Sequence, residues 1–195
     1  MKFTEKITSA IEDNIFTKQS LFKTQTIELI EEIGVQLAKI IEKGGKILFC
    51  GNGGSAADSQ HLAAELVVRL RSSFNRPAIP AIALTVDTSI LTAGGNDYGF
   101  DYVFSRQVEA LGREKDALIA ISTSGNSLNV IKAIEEAKKK NMFVVGFLGG
   151  NGGKIKDMCD ISFVAPSNKT ARIQETHILV GHILCEIIEE TLFAT

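Results

Sequence analysis

The sequence predicts an α/β domain with a parallel sheet of five strands, preceded by a helical extension. Short apolar runs alternate with longer stretches of helical spacing, a pattern typical of buried parallel strands that are connected by helices. The 195 residues contain no low-complexity linker and no shift in composition that would mark a second domain. We therefore expect residues 1–195 to form a single domain.

The elements follow one another in a regular order. Apolar side chains recur at steps of three and four through the first 43 residues, as in a helix, until Gly44 and Gly45 end the pattern. These positions fall on more than one helical face, so we expect residues 1–45 to pack against both the sheet and a second subunit. A helix is also predicted at 128–140, and another at the C-terminus. The predicted strands are 46–50, 78–84, 117–121, 143–148 and 161–165.

Composition excludes several classes of function. The chain carries 21 Lys and Arg against 23 Asp and Glu, a net charge of −2, which leaves no positive field to attract nucleic acid or anionic lipid. No apolar run reaches the roughly 18 residues of a membrane span. Cys50 and Cys185 lie within apolar runs, where buried thiols are usual, and three cysteines are an odd number for disulfides. We therefore expect a cytoplasmic protein.

A glycine-rich turn follows the first predicted strand, at the edge where open α/β sheets bind ligands. Residues 51–56 match the G-x-G-x-x-A pattern of dinucleotide sites, which also requires an acidic residue about 20 positions later. The nearest candidate, Asp87, comes 36 residues after Gly51. A tight turn without a ligand stays open, but we favour a cradle for a polyol or phosphate, in which Asn52 and Ser55 add hydrogen bonds.

A hydroxyl-rich loop follows the third predicted strand. Residues 122–127 read Ser-Thr-Ser-Gly-Asn-Ser and precede a predicted helix, whose unpaired N–H groups and dipole would face an anion. Helix capping explains one hydroxyl but not four, so the loop predicts phosphate binding without Lys or Arg. The later run 149–154 resembles a Walker loop only superficially, because Ile155 stands where Ser or Thr is required. This mismatch argues against nucleoside triphosphate hydrolysis.

Two pairs of polar residues are candidates for catalysis. His61 and Glu65 are four residues apart in a predicted helix and project from one face, where they could hold a metal or place a general base; a structural histidine stays open. Gln174 and His182 are eight residues apart, about 12 Å along a helix. Their convergence on one ion would need an irregular helix or a ligand from a neighbouring subunit. We expect His177 to be a surface or interface histidine.

Asn96 and Asp97 follow the second predicted strand and have two interpretations. A turn with an Asx cap would explain both residues structurally. Amide and carboxylate groups close to the two loops would also suit a polyhydroxylated substrate, because they can accept and donate hydrogen bonds to hydroxyls. The residues alone leave both interpretations open.

Four separated motifs closely resemble the sugar isomerase (SIS) superfamily and, within it, the phosphoheptose isomerase family. The motifs are GNGGSAADSQH at 51–61, GNDYGF at 95–100, STSGNS at 122–127 and RIQETH at 172–177 with His182. The resemblance implies a flavodoxin-like sheet and a cytoplasmic homotetramer with active sites at subunit interfaces. It also implies isomerisation of D-sedoheptulose 7-phosphate to D-glycero-D-manno-heptose 7-phosphate through an enediol-type intermediate, the first step of bacterial heptose synthesis for lipopolysaccharide or capsule.

The resemblance also assigns roles to individual positions. It implies that Glu65 and His182 form the acid/base pair. The phosphate would be bound by Ser122, Thr123, Ser124 and Ser127. The sugar would be contacted by Asn52, Gly53, Gly54, Ser55, Glu65, Asn96, Asp97 and Gln174. One Zn²⁺ per subunit would be held by His61, Glu65, Gln174 and His182.

Other functions within the same superfamily are alternatives. One is a non-catalytic SIS tetramer that binds a partner protein, of the kind that binds the bacterial replication initiator. Another is a sugar-phosphate-sensing domain of a regulator or amidotransferase. Glu65, Gln174 and His182 are all present in this chain, which favours the enzyme. Among enzymes, an isomerase of a different ketose phosphate is a further alternative.

Overall fold

A computed structural model of the chain describes residues 3–194, so Met1, Lys2 and Thr195 of the expected domain lie outside the described residues. The five strands are β1 (Ile47–Gly51), β2 (Ala81–Ala83), β3 (Ala117–Ser122), β4 (Phe143–Leu148) and β5 (Ile161–Val164). They form one sheet in the order β2-β1-β3-β4-β5, with every neighbouring pair parallel. This is the flavodoxin-like order, and it confirms the predicted fold class.

Helices cover both faces of the sheet. They are α1 (Phe3–Gln19), α2 (Thr24–Glu42), α3 (Gly54–Val67), α4 (Thr88–Asp97), α5 (Ser105–Leu111), α6 (Leu128–Lys139) and α7 (Thr170–Phe193). Successive side chains of β1 point to opposite faces: Ile47 and Phe49 join a core with α2, α3 and α7, whereas Leu48 and Cys50 join a second core with α5 and α6. Each large apolar side chain buried in this way contributes about 1.5–3 kcal/mol.

The second predicted strand is shorter in the structure than in the prediction. Only residues 81–83 of the expected 78–84 form strand β2. Pro80 has no N–H to donate to a sheet ladder, which is why proline is confined to edge strands and strand ends. Its carbonyl instead accepts the N–H of Ile47 at 3.1 Å, and β2 lies at the edge of the sheet.

The N-terminal extension consists of two helices, whereas the periodicity predicted one continuous helical stretch. A 3-10 turn at Ser20–Phe22 ends α1, and Lys23 is extended at φ −67° and ψ 131° before α2 begins. Helix α2 packs its buried residues against the sheet. Helix α1 is attached to α7, where the Asn14 amide hydrogen-bonds Glu175 and Arg172 donates to the Ala10 carbonyl at 2.5 Å. The apolar side chains that α1 and the following turn leave exposed are Phe3, Ile7, Ile11, Ile15, Phe16 and Phe22.

His177 is a core residue, so the expectation of a surface or interface histidine is wrong. It is 0% exposed, and its ring lies 5.6 Å from that of Phe147 and 6.4 Å from that of Phe163, between centroids. Its Nε2 atom lies 2.8 Å from the Leu148 carbonyl and donates to it, because a carbonyl only accepts. Burial disfavours the charged ring and lowers the pKa of His177 to about 4. The imidazole is therefore neutral at pH 7.

We expect His177 to make the fold sensitive to acid. Its pKa is about 4 in the folded chain and 6.5 in the reference state, so between these values the unfolded chain binds a proton that the folded chain does not. The neutral imidazole makes its full contribution to the free energy of unfolding above pH 6.5. That free energy falls by about 3 kcal/mol as the pH is lowered to 4. Urea unfolding followed by circular dichroism at several pH values measures this slope.

The matched variant is His177→Gln, whose amide can still donate to Leu148 but does not titrate. The pH dependence of its unfolding free energy should be shallower than that of the parent chain between pH 6.5 and 4. Equal slopes in the two proteins would contradict the assignment of this acid sensitivity to His177.

Candidate active site

The candidate site lies where the order of the strands reverses, between β1 and β3. Strand β1 leads through the glycine turn at 51–54 into α3, and β3 leads through the hydroxyl loop at 122–127 into α6. Because β1 and β3 are parallel neighbours, both loops lie side by side at the carboxyl edge. Ligands of open α/β sheets bind at such reversal points. The structure therefore brings together the two loops that the sequence predicted to bind ligand.

Two asparagines join these loops directly. The Asn52 amide donates to Asn129 Oδ1 at 2.8 Å, and the Asn129 amide donates to Asn52 Oδ1 at 2.9 Å. Asn129 is buried at the start of α6. The side chain of Asn52, which was predicted to contact the sugar, is therefore occupied in tying the glycine turn to the hydroxyl loop.

The glycine turn also receives Gln174 from helix α7. A Cβ atom at Gly54 would lie 2.3 Å from Gln174 Nε2, so a larger residue here would displace the Gln174 side chain from the turn. The neighbouring predicted residues are at the start of α3, where Gly53 precedes the helix and Ser55 is buried in its first turn. The structure thus places Gln174 at the predicted sugar end of the site.

The hydroxyls of the second loop do not cap helix α6. Ser127 occupies the cap position but makes no capping hydrogen bond; its Oγ lies instead 3.0 Å from Ser122 Oγ. Ser124 Oγ accepts the N–H of Asn126 at 3.2 Å, and Thr123 is half-buried beside it. Capping therefore does not account for these side chains. The N-terminus of α6, with its positive dipole end, is left to attract an anion.

A second glycine-rich loop supports the hydroxyl loop from behind. Gly125 has φ +65°, and a Cβ atom there would lie 1.9 Å from the Gly152 carbonyl oxygen. The N–H of Ile155 donates to the Gly125 carbonyl at 3.0 Å, and the N–H of Lys154 donates to Asn126 Oδ1 at 3.2 Å. The run 149–154 that resembles a Walker loop thus holds the conformation of the predicted phosphate loop.

Three of the predicted catalytic and metal-binding residues converge. The Nε2 atoms of His61 and His182 are 2.8 Å apart, and His61 Nε2 is 3.2 Å from Glu65 Oε1. Helix α7 is continuous over Thr170–Phe193, which excludes the irregular helix that would have brought Gln174 beside His182. Gln174 lies against Gly54 instead. Within one chain, Gln174 is therefore not a fourth member of this cluster.

The chemistry of the cluster fits a divalent transition metal. One ligand atom each from His61, Glu65 and His182 lies within 4.8 Å of the other two. Two imidazole nitrogens and a carboxylate oxygen form a donor set typical of catalytic zinc, which keeps a further position open for water or substrate. The His61 side chain is 49% exposed, so the cluster is open to solvent and to a ligand.

Asp58 lies one helical turn before His61 and is unusual electrostatically. Burial raises the pKa of Asp58 to about 6, and the nearby His61 opposes this rise. Its Oδ2 atom is buried and makes no hydrogen bond within residues 3–194. The site therefore contains a carboxyl group that changes its charge just below neutral pH.

Asn96 and Asp97 form part of a helix, which rules out an Asx turn as one of the two interpretations left open by the sequence. They lie in the last turn of α4, where the Asn96 amide donates to Asp97 Oδ1 at 2.8 Å. The Asx cap of this segment is Asp87, which accepts the N–H of Ile90 at 2.9 Å at the start of α4. Asn96 and Asp97 are exposed, and no hydrogen bond in the described part of the chain links them to either loop. Contact of these two residues with the sugar stays a prediction.

Sequence reasoning missed three buried polar residues: Asn129, which contacts the glycine turn, and Arg76 and Glu189, which form an ion pair between the segment after α3 and helix α7. Asn129 is a buried polar residue in an otherwise apolar helical face, which is a usable signal. Glu189 falls four residues after Cys185 on the buried face of α7 and is 0% exposed, so the helical periodicity could have found it as well. Arg76 lies in an irregular segment between α3 and β2, where no pattern marks it.

The comparisons with known proteins agree with this geometry. A model of the SIS domain family matches residues 12–149. A phosphoheptose isomerase from Aneurinibacillus thermoaerophilus is 49% identical over 188 residues, which cover 96% of this chain and 94% of the relative. Solved structures of phosphoheptose isomerases from Neisseria gonorrhoeae and Francisella tularensis have TM-scores of 0.91 and 0.93 at 45% and 40% identity, each covering 97% of this chain and 100% of the other. The similarity therefore extends from the motifs to the whole fold.

We expect Gly125→Ala to weaken binding of inorganic phosphate by about tenfold or more. The added Cβ would meet the Gly152 carbonyl at 1.9 Å, which forces the hydroxyl loop out of its conformation. The matched control is Gly44→Ala, because Gly44 also has a positive φ of +80° but no atom within 4 Å of its Cβ position. Isothermal titration calorimetry measures both affinities. Equal phosphate affinities in the two variants would contradict the role of this loop.

Proposed function

This chain belongs to the SIS domain family, and we propose that it acts as a phosphoheptose isomerase that converts D-sedoheptulose 7-phosphate to D-glycero-D-manno-heptose 7-phosphate. The observation that carries this proposal is the convergence of Glu65 and His61, on the helix that starts at the predicted sugar loop, with His182 of α7. The relatives named above, which match nearly the full length of this chain, have the same activity in their names. The product belongs to bacterial heptose synthesis for lipopolysaccharide or capsule.

The phosphate group of the substrate serves as an anchor. We assign it to Ser122, Thr123, Ser124 and Ser127 and to the N-terminus of α6, which supply hydroxyls and backbone N–H groups without a cation. Binding energy from this remote group holds the reacting carbons near the catalytic side chains, so that positioning contributes to the rate. The sugar chain is assigned to the glycine turn, Gln174, Asn96 and Asp97.

The reaction moves one hydrogen between neighbouring carbons. Glu65 removes the proton from C1 of the ketose and returns it to C2, while His182 protonates the oxygen on C2 and accepts the proton from the oxygen on C1. The intermediate between the two steps is an enediol. General acid/base catalysis requires both groups to lie within hydrogen-bond reach of the reacting atoms, and the two side chains lie close together in the cluster.

We also infer one Zn²⁺ per subunit. His61, Glu65 and His182 provide a fitting donor set, and Gln174 would complete it from a neighbouring subunit. When bound, the ion would act as a Lewis acid toward the sugar oxygens. Three nitrogen and carboxylate ligands with one neutral amide bind zinc less strongly than a thiolate cage, as suits a catalytic ion.

We propose that the enzyme is a cytoplasmic homotetramer with active sites between subunits. Supporting this assembly, α1 exposes a row of large apolar side chains, of which Phe3 is 82% exposed and Phe16 is 71% exposed; such a surface is typical of an interface. A monomeric species in sedimentation at working concentration would contradict it. Within residues 3–194, no helix is long and apolar enough to span a bilayer. The three cysteines are free thiols, as is usual in the cytoplasm.

The non-catalytic SIS tetramer is not favoured as an alternative. A binding protein would have no need for an acid/base pair, yet Glu65 and His182 lie together in an open cluster with His61. The relatives at about half identity are named as isomerases.

We expect Glu65→Gln to lower turnover of sedoheptulose 7-phosphate by a factor of about 100 or more, because an amide cannot carry the proton between C1 and C2. Formation of the aldose is followed by NMR. Binding of inorganic phosphate should be retained, since the hydroxyl loop is unchanged. The control is Glu114→Gln, which alters an exposed carboxylate ahead of β3 at the opposite edge of the sheet. Turnover of Glu65→Gln near that of the control would contradict the assignment.

We expect removal of zinc to abolish turnover and re-addition of Zn²⁺ to restore it. Elemental analysis should find one zinc per chain in the parent protein and strongly reduced zinc in His61→Gln, because the variant loses a ligand. Phosphate binding should survive metal removal, which separates loss of the ion from loss of the fold. Full activity in protein proven free of zinc would exclude the ion from the reaction.

A further inference from the structure

A buried ion pair lies away from the reacting groups, between the end of α3 and helix α7. Arg76 Nη2 is 2.8 Å from Glu189 Oε1, and the two side chains are only 1% and 0% exposed. Buried ion pairs are a poor source of stability, because desolvation offsets the attraction between the charges. A contribution to stability therefore does not explain why a charged pair is buried at this position.

Arg76 also binds the backbone of the helix that carries the proposed base. Its Nη2 donates to the Glu65 carbonyl at 2.9 Å, and its Nη1 donates to the Leu66 carbonyl at 2.7 Å. Both carbonyls lie in the last turn of α3, where the helix itself provides no donor. The guanidinium thus fixes the C-terminal end of α3 at the residue that is proposed to move the proton.

Glu189 connects the same guanidinium to the helix of the second catalytic residue. It follows His182 by seven residues in α7, which is two turns, or about 10 Å, along the same side of the helix. The two helices also touch near the cluster, where a Cβ atom at Gly181 would lie 2.6 Å from Leu62. The tie through Arg76 and Glu189 therefore adds a polar constraint to the apolar packing between α3 and α7.

We propose that Arg76, held by Glu189, is a positioning residue that sets the distance of Glu65 and His61 from His182. The inference rests on the proposed function, because it concerns the same acid/base pair and metal ligands. A guanidinium can bind a carboxylate and two carbonyls at once through its rigid fork, whereas a lysine ammonium is a point charge on a flexible stem. Lysine at this position would keep the ion pair with Glu189 but could not also hydrogen-bond both carbonyls.

The test compares Arg76→Lys with Arg71→Lys. Arg71 also contacts Glu189, at 3.4 Å, and Glu190, at 2.9 Å, but makes no hydrogen bond to a described carbonyl of α3, so it controls for a weakened charge network. In Arg76→Lys we expect kcat for sedoheptulose 7-phosphate to fall about tenfold and the affinity of the metal-free protein for Zn²⁺ to fall about tenfold. The KM and the inhibition constant of inorganic phosphate should change less than about twofold, because the phosphate loop lies on other elements. Arg71→Lys should leave all four values unchanged.

Several outcomes would overturn the proposal. One is an Arg76→Lys variant whose kcat and Zn²⁺ affinity equal those of the parent protein. Another is a loss of phosphate affinity as large as the loss of Zn²⁺ affinity, which would indicate that the whole fold has become less rigid. Glu189→Gln is a second variant, in which we also expect kcat and Zn²⁺ affinity to fall while KM and phosphate inhibition change little. If neither variant folds, the ion pair is a requirement of the fold rather than of the site. A parent chain without activity on the heptulose would refute the proposed function instead, while the Zn²⁺ titration would still test the positioning role.

Discussion

The reversal of strand order between β1 and β3 is the constraint on which the rest of the molecule depends. The connection from β1 covers one face of the sheet and the connection from β3 covers the other, so a crevice opens where the two leave their strands. The N-termini of α3 and α6 meet there. The loops that follow β1 and β3 supply most of the proposed substrate contacts, and both open into this crevice. Helix α3 starts at the first of these loops and places His61 and Glu65 beside His182 of α7.

The two ends of the site consist of different kinds of chemical groups. The predicted phosphate end consists of backbone N–H groups, hydroxyls and glycines, whose conformation is held by the packing of Gly125 against Gly152. The reacting end consists of long side chains on helix faces, whose positions depend on how two helices pack. The amide pair of Asn52 and Asn129 connects the glycine turn ahead of α3 to the start of α6, so that α3 begins at a defined distance from the predicted phosphate loop.

Most of the fold could be predicted because it follows from short-range patterns. Strand periodicity located β1, β3, β4 and β5 within a residue at each end, and both ligand loops follow directly from them. The prediction for His177 was wrong because this residue lies off the helical face of Gln174 and His182 but on the buried face of α7, which its spacing with Ile173, Val180 and Leu184 marks. Arg76 could not be found, since its role depends on a contact with Glu189 across 113 residues and no local pattern encodes such a contact.

The lack of cations in the hydroxyl loop has a consequence for the cell. Exposed charge pairs weaken as ionic strength rises, whereas short hydrogen bonds within a pocket are far less screened. A neutral anion site on a chain of net charge −2 therefore does not attract polyanions such as ribosomes or chromosomes from a distance. Recognition of a phosphate by this loop, as proposed above, would then depend on the close fit of the anion rather than on net charge, and it would change little with ionic strength.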